Sequence, residues 1–177
     1  IESGVLIGAE RFHQGRRTGA YKGWSDSGDP LLIEYYQDGK REGVSTSFGP
    51  DRAVRREEFF VDDRKNGFAR SWGDSGALLE AAYWVNDRLH GRQTLYQPDG
   101  TKFAEGENAL GKRAGSWFVF GPGGSLHPKS GVYSKGERIA DLPEELASQA
   151  LKLYAARAPE DLAEPAIKAD DVRPEEP

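Results

Sequence analysis

The chain of 177 residues is long enough for one domain, or for one domain and a tail, and its 37% hydrophobic and 30% charged residues are typical of a globular protein. The absence of cysteine excludes disulfides and thiolate metal sites, and no segment approaches the roughly 20 apolar residues that cross a bilayer. Seven acids and two bases in residues 159–177 account for the net charge of −5, so residues 1–158 are neutral overall.

Residues 5–12 have the pattern of a strand, and they align with the second half of a 24-residue unit that recurs along the chain. A glycine opens each of five full units, and an aromatic residue follows five positions later. The glycines are Gly19, Gly43, Gly67, Gly91 and Gly115, and the aromatic residues are Trp24, Phe48, Trp72, Tyr96 and Phe120. Such a fixed period is typical of repeat proteins, whose units bury their apolar faces by stacking on their neighbours.

Two turn regions divide each unit into two short strands. The first, as in Gly73-Asp74-Ser75-Gly76, predicts a type I turn closed by a left-handed residue, which is a three-residue hairpin loop with a bulge. Arg52 takes the place of the last glycine in the second unit, and we expect strain or a different loop there. The second region, residues 39–43 and their equivalents, joins consecutive units, and so short a connection favours antiparallel neighbours.

These patterns predict an all-β fold, an elongated antiparallel β-meander of hairpin repeats with about eleven strands, near 50 Å long at about 4.8 Å per strand. The repeat array takes residues 1–140. Residues 141–158 predict one capping helix that covers the last sheet edge, with an Asp cap and an apolar stripe at helical spacing formed by Leu142, Leu146, Ala150, Leu153 and Tyr154. Residues 159–177 have the composition of a disordered acidic tail.

Side-chain alternation predicts which aromatic residues share a face of the sheet. With a three-residue first loop, Tyr36, Phe60 and Trp84 lie on the face of Trp24 and its repeats, and Tyr35, Phe59 and Tyr83 lie on the other face. A four-residue loop would exchange the two sets. Such rows are usually core, yet a sheet with aromatic residues on both faces and a single helix leaves some of them reachable by a partner.

A row of basic residues recurs beside the second turns. Arg16, Lys40, Arg64, Arg88 and Lys112 have the same offset in successive units, and a second base stands beside most of them. This row is a candidate contact for an acidic protein surface or for anionic phospholipid. The alternatives are that the bases only solubilise exposed turns, among which Asp38, Asp62, Asp63 and Asp87 weaken the field, or that the acidic tail lies on them. We expect no nucleic-acid partner.

Catalytic signatures are poor. His13, His90 and His127 are not at metal-ligand spacing, no serine is framed as a nucleophile, and the periodic Glu10, Glu34 and Glu58 indicate a solvated row more than an acid-base pair. We therefore predict a protein without enzymatic activity, metal or cofactor.

The units resemble MORN-type repeats, in particular the bacterial variant with the pattern G-x4-aromatic-x2-[DN]-G followed by x-[DN]-G-[KR]-x2-G. Gly91, Tyr96 and Asp99-Gly100 show the first half, and Tyr36-Gln37-Asp38-Gly39-Lys40 shows the second. The resemblance covers residues 5–138, with Arg52, Asp63, Asp87 and Asn108 as departures. It implies an elongated array of β-hairpins.

The resemblance also implies a role, because bacterial proteins of this variant are commonly assigned as antitoxins or immunity proteins. We expect a cognate toxin or effector as the partner, for which a secreted lipase-type effector is one candidate, and a membrane-associated scaffold is the alternative. The chain has no methionine and begins at Ile1, from which we expect a removed signal peptide and a periplasmic or secreted protein, with a cytoplasmic location as the alternative.

Overall fold

The computed structural model describes residues 7–155. Within this range the chain forms fifteen strands, a 3₁₀ turn at Pro122–Gly124 and two short helices, α1 (Glu144–Ser148) and α2 (Ala150–Ala155). The strands are β1 (Ile7–Ala9), β2 (Phe12–His13), β3 (Arg16–Arg17), β4 (Gly19–Trp24), β5 (Pro30–Gln37), β6 (Lys40–Arg41), β7 (Gly43–Phe48), β8 (Val54–Val61), β9 (Arg64–Trp72), β10 (Leu78–Val85), β11 (Arg88–Tyr96), β12 (Lys102–Ala109), β13 (Lys112–Val119), β14 (Gly131–Ser134) and β15 (Glu137–Ala140).

Thirteen of these strands form one open antiparallel sheet, in which hydrogen-bonded neighbours follow the order of the chain. The strand β6 pairs with β5, and β2 and β3 form a separate two-stranded sheet. Because the main sheet contains no crossover connection, it is a meander, and the predicted all-β antiparallel fold is confirmed. The strand number exceeds eleven because three predicted strands are each divided in two, as β1 and β2, β3 and β4, and β6 and β7, and because β15 is an additional strand.

The first turn of each unit has the predicted geometry. The Ser25 N–H bonds to the Asp29 carbonyl at 2.8 Å, the Gly28 N–H bonds to the Ser25 carbonyl at 2.9 Å, and Gly28 has a φ of 82°. The same pair of hydrogen bonds closes the loops after Phe48, Trp72, Tyr96 and Phe120. Arg52 keeps this loop at a φ of 64°, so the predicted strain is present as a left-handed arginine and the loop type does not change.

Consecutive units are joined by two-residue type I′ turns, in which both residues have positive φ. In one of them Asp38 has a φ of 51° and Gly39 a φ of 88°, and Gln37 pairs with Lys40 across the turn. The five-residue turn predicted from the sequence is wrong in its placement, because the turn ends before the basic residues. The bases instead begin the strands that follow: Arg16, Lys40, Arg64, Arg88 and Lys112.

Each later type I′ turn is hydrogen-bonded to the start of the strand that follows the preceding turn. The Gly39 N–H bonds to the Arg17 carbonyl at 2.8 Å, and equivalent bonds of 2.7–3.1 Å join the later turns. Asp63 takes the place of the turn glycine with a φ of 67°, and its Oδ1 accepts the Arg41 N–H at 2.9 Å. Asp87 does the same one unit later. Aspartate at these two positions therefore adds a hydrogen bond to the preceding unit that glycine cannot make.

A second bulge follows each first turn. Trp24 pairs with Pro30 while the preceding Gly23 pairs with Leu32, so Leu31 is an extra residue in its strand. The same register shift occurs at Arg55, Leu79 and Phe103. One extra residue moves the later side chains of that strand to the other face of the sheet.

The predicted sharing of faces is therefore wrong for the second strand of each unit. One face, named here the Trp72 face, carries Trp24, Phe48, Trp72 and Tyr96 together with Tyr35, Phe59 and Tyr83. The opposite face, named here the Trp84 face, carries Tyr36, Phe60 and Trp84.

The main core lies on the Trp72 face. Its buried side chains come from strands β5 to β11 and pack along the sheet from unit to unit: Ile33, Phe48, Val54, Trp72, Leu78 and Tyr96. A smaller cluster on the Trp84 face holds Ala104, Trp117 and Val119. A Cβ at position 106 would lie 2.4 Å from the Trp117 ring, so glycine there lets the indole lie flat on the backbone.

The single predicted helix is two short helices that begin three residues later than expected. Asp141 forms an ion pair with Arg138 and does not cap the helix, and Pro143 occupies the cap position of α1. The predicted apolar stripe does form the packing side, since Leu142, Leu146, Ala150, Leu153 and Tyr154 contact Phe118 and Phe120. The helices thus cover the end of the Trp72 face and leave the edge strand β15 exposed. Residues 156–158 of the predicted helix and the acidic tail lie outside the described residues.

Candidate functional site

A row of apolar side chains crosses the Trp72 face between the core and the type I′ turns. Five successive strands contribute Tyr35, Val44, Phe59, Phe68 and Tyr83, a set named here the aromatic patch. Tyr35 is 41% exposed and Tyr83 is 50% exposed, while the three residues between them are partly buried. The rings of Phe59 and Phe68 lie 6.0 Å apart between centroids. The patch is therefore continuous, with its two most accessible rings at its ends.

Predicted basic residues adjoin this patch. Lys40 pairs directly with Gln37, Arg64 with Val61 and Arg88 with Val85, and directly paired residues share a face. The bases therefore lie on the Trp72 face, two residues beyond the aromatic patch along each strand. We name the row Arg16, Lys40, Arg64, Arg88 and Lys112 the basic margin, and all five are exposed. Within residues 7–155, only Lys40 of this row is in an ion pair, at 2.9 Å from Asp62.

The second base of each pair lies on the opposite face. Arg17 covers the ring of Tyr36 at 4.6 Å, Arg41 covers Phe60 at 4.0 Å and Lys65 covers Trp84 at 4.7 Å, measured to the ring centroids. The same three cations pair with the periodic Glu10, Glu34 and Glu58. Each ring is thus held beneath a cation of the preceding unit, in contacts of about 0.5–1 kcal/mol or more.

These contacts change the expectation for Tyr36, Phe60 and Trp84 as partner-binding residues. Phe60 is only 3% exposed, and Tyr36 and Trp84 are partly buried. Burial raises the pKa of Tyr36, and the hydrogen bond of its hydroxyl to Glu34, at 2.6 Å, raises it further. The row is occupied by contacts within the protein, whereas Tyr35 and Tyr83 remain accessible.

A buried ion pair lies beside the aromatic patch on the Trp72 face. Arg70 bonds to Glu57, which is fully buried, and the Arg70 guanidinium lies 5.2 Å from the Phe68 ring and 5.4 Å from that of Trp72. Sequence reasoning missed this pair and missed Val44 and Phe68 in the patch. The sequence signal that could have found Val44 and Phe68 is an apolar residue directly after the leading glycine of a unit, here Gly43 and Gly67.

Among residues 7–155, no group of three or more His, Cys, Asp or Glu side chains is placed to hold a metal ion. His127 accepts the Lys129 N–H at 3.1 Å through Nδ1. In the same range, no helix has the length and apolar character to cross a bilayer. What the surface offers a partner is a fixed apolar row beside a row of cations.

Comparison with known proteins adds little to this geometry. The sequence matches no protein-family profile and no curated protein. Among solved structures, the chain is similar to the crystal structure of TarM with a TM-score of 0.31 and 10% sequence identity. The match covers 63% of this chain and 19% of the TarM chain, and a likeness of this size carries no argument about fold or function.

Proposed function

We propose that this protein is a non-enzymatic binding protein of the immunity or antitoxin type, which neutralises a bacterial toxin or effector by covering part of its surface. The observation that carries the proposal is the aromatic patch beside the basic margin on one face of the sheet. Exposed tyrosines on a rigid support are typical hot spots of protein interfaces, because they bury much area with little loss of side-chain freedom.

The sheet holds the patch in place without help from a partner. Its members come from five neighbouring strands, so at about 4.8 Å per strand Tyr35 and Tyr83 lie about 19 Å apart. The central rings rest on the core, and the backbone beneath them is hydrogen-bonded on both sides. A contact surface fixed in this way loses little conformational entropy on binding.

The charges on this face indicate the chemistry of the partner. Arg64 and Arg88 lie beside Val61 and Val85 and have no ion pair within residues 7–155. A partner that complements this face presents an apolar row bordered by carboxylates. A lipid-hydrolysing effector remains a target suggested only by the family resemblance.

A membrane-associated scaffold is the second candidate, and the row of exposed cations in the basic margin favours it. Only one base of each pair faces solvent there, however, and the exposed Asp38, Asp62, Asp63 and Asp87 lie in the adjoining turns. Alternating charges reduce the attraction to an anionic surface. Protein binding is therefore the better supported function.

The test is co-expression with the product of the neighbouring gene, followed by calorimetric titration. Each patch tyrosine changed to serine should weaken the complex about 30-fold, as expected for a hot spot of about 2 kcal/mol. Phe103→Ser is the matched control, because Phe103 is 48% exposed and lies outside the patch. A complex that is unchanged in Tyr35→Ser/Tyr83→Ser, or protein that binds anionic liposomes and no protein partner, contradicts the proposal.

A further inference from the structure

An open groove of about 560 Å³ lies between the repeats on the Trp84 face, away from the aromatic patch. Two arginines that are adjacent in β8 and its preceding bulge, Arg55 and Arg56, line it together with Ser47 and Ser71. Arg56 pairs with Ser47 on one side and with Ser71 on the other. Paired residues have Cβ atoms about 5 Å apart, so the Arg56 side chain leaves the sheet between two serine side chains on the same face.

Several of these donors are not used within the protein. Among residues 7–155, Arg56 has no ion pair or side-chain hydrogen bond, and neither do the hydroxyls of Ser47 and Ser71. The Arg55 Nη1 is buried and has no hydrogen-bond partner. Since buried donors are normally paired, and since three further unused donors line the same groove, the groove has the character of a site for an anion.

The acids at the groove are already neutralised. Glu34 accepts from the Tyr36 hydroxyl at 2.6 Å and lies 3.7 Å from Arg41. Glu58 is paired with Lys65. Arg55 is fixed by Asp51 at 2.6 Å and by Asp74 at 3.5 Å, which holds its guanidinium in position. Of the charged residues that line the groove, Arg56 is therefore the one without a counterion among residues 7–155.

The backbone is shaped to admit this arrangement. Arg55 is the extra residue of the second bulge, and a Cβ at position 49 would lie 2.8 Å from its Nε. One unit later, a Cβ at position 73 would lie 3.2 Å from Leu79. Glycine at both positions lets the bulge residues lie along the sheet, where Arg55 and Leu79 form walls of the groove.

We propose that this groove binds a phosphate monoester. A planar carboxylate is satisfied by one guanidinium, whereas donors on either side of Arg56 match the several oxygens of a tetrahedral dianion. The groove is larger than a phosphate group, and the apolar side chains of Leu32 and Leu79 are available to the rest of the ligand. The chemistry is shared by soluble phosphate monoesters and by the head group of phosphatidic acid. The inference does not depend on the protein partner proposed above.

The experiment titrates the full chain at low ionic strength with glycerol 3-phosphate, followed by calorimetry and amide chemical shifts. We expect millimolar or tighter binding, about tenfold weaker binding of acetate, and a further loss of about tenfold in Arg56→Gln. Ser47→Ala/Ser71→Ala should weaken binding several-fold. Arg11→Gln is the matched control, since it removes an exposed arginine that does not line the groove and should change nothing. Circular dichroism verifies that each variant is folded.

A second arm identifies the source of the phosphate. The probe is a vesicle of phosphatidylcholine with phosphatidic acid. If the protein binds this vesicle more tightly than glycerol 3-phosphate, and if Arg56→Gln weakens that binding, the groove is assigned to a lipid head group. Binding of the soluble ester alone assigns it to soluble metabolites. Equal affinities in Arg56→Gln and Arg11→Gln, acetate binding as tight as that of the ester, or no binding of either phosphate probe overturns the proposal.

Discussion

Thr46→Val should stabilise the protein. Thr46 lies on the Trp72 face between Ile33 and Glu57, its exposure is 0%, and its Oγ1 has no hydrogen-bond partner. A buried hydroxyl without a partner costs about 1–3 kcal/mol relative to water, and valine has nearly the same shape and the same preference for strands. We therefore expect a gain of about 1–2 kcal/mol, or about 3–6 °C in Tm for a domain of this size.

The assay is urea unfolding monitored by tryptophan fluorescence, with an unchanged slope and a higher midpoint as the expected result. Thr94→Val is the control, because Thr94 lies two units later at the same offset and its hydroxyl is hydrogen-bonded to Tyr96. That change should cost about 1 kcal/mol. A loss of stability in Thr46→Val would refute the reasoning, since it would mean that the hydroxyl makes a bond in solution.

Arg52→Gly should stabilise the protein by about 0.5–1 kcal/mol, because it relieves a left-handed arginine, and the contacts that it removes include an exposed one to Asp29 at 3.6 Å, which contributes little; a lower midpoint in urea would show that the contacts of Arg52 contribute more than its backbone strain costs. Glu105→Gln should cost about 3 kcal/mol at pH 7, because Glu105 is 5% exposed and bonds to Lys102 at 2.8 Å and Arg92 at 2.9 Å. Burial raises the pKa of Glu105, but these two bonds outweigh it and hold the pKa below its usual value. The free energy of unfolding of the wild type should therefore exceed that of Glu105→Gln by its full amount above the unfolded-state pKa of Glu105, and the excess should vanish as the pH falls through the lower folded-state pKa. Unfolding curves from pH 7 to pH 3 test this. An excess that stays constant down to pH 3 would contradict the role given to the Glu105 carboxylate.

The repeat period and the turns could be predicted from sequence because the backbone conformation of a turn allows only a few residue types at each position. Glycine, proline and aspartate mark the first loops directly, as at residues 73–76, and the confirmed hydrogen bonds follow from φ values that few other residues adopt. The second bulge could not be predicted, because Leu31 and Arg55 are ordinary strand residues with no constraint on φ. One missed residue per unit was enough to exchange the faces of two aromatic rows.

Some members of the candidate site were predicted, but their arrangement was not. Tyr35, Tyr83 and Arg64 were singled out by recurrence at the repeat period, which requires no knowledge of faces. These residues share a face only because the second bulge shifts the pairing of the strands. The strand register of the structure shows that shift, and the sequence does not. The break between α1 and α2 at Gln149 also carries no glycine or proline, and it follows from the packing of Ala150 against Phe118 and Phe120.

The cations that cover Tyr36, Phe60 and Trp84 each come from one unit upstream, and the turns are also bonded one unit apart. These contacts between neighbouring units therefore recur at the period of the repeat. Removing or adding a whole multiple of that length leaves each donor facing an equivalent acceptor, whereas a change of a single residue misaligns all of them downstream. The length of the sheet is thus adjustable by gene duplication in whole units, with the contacts between neighbouring units kept.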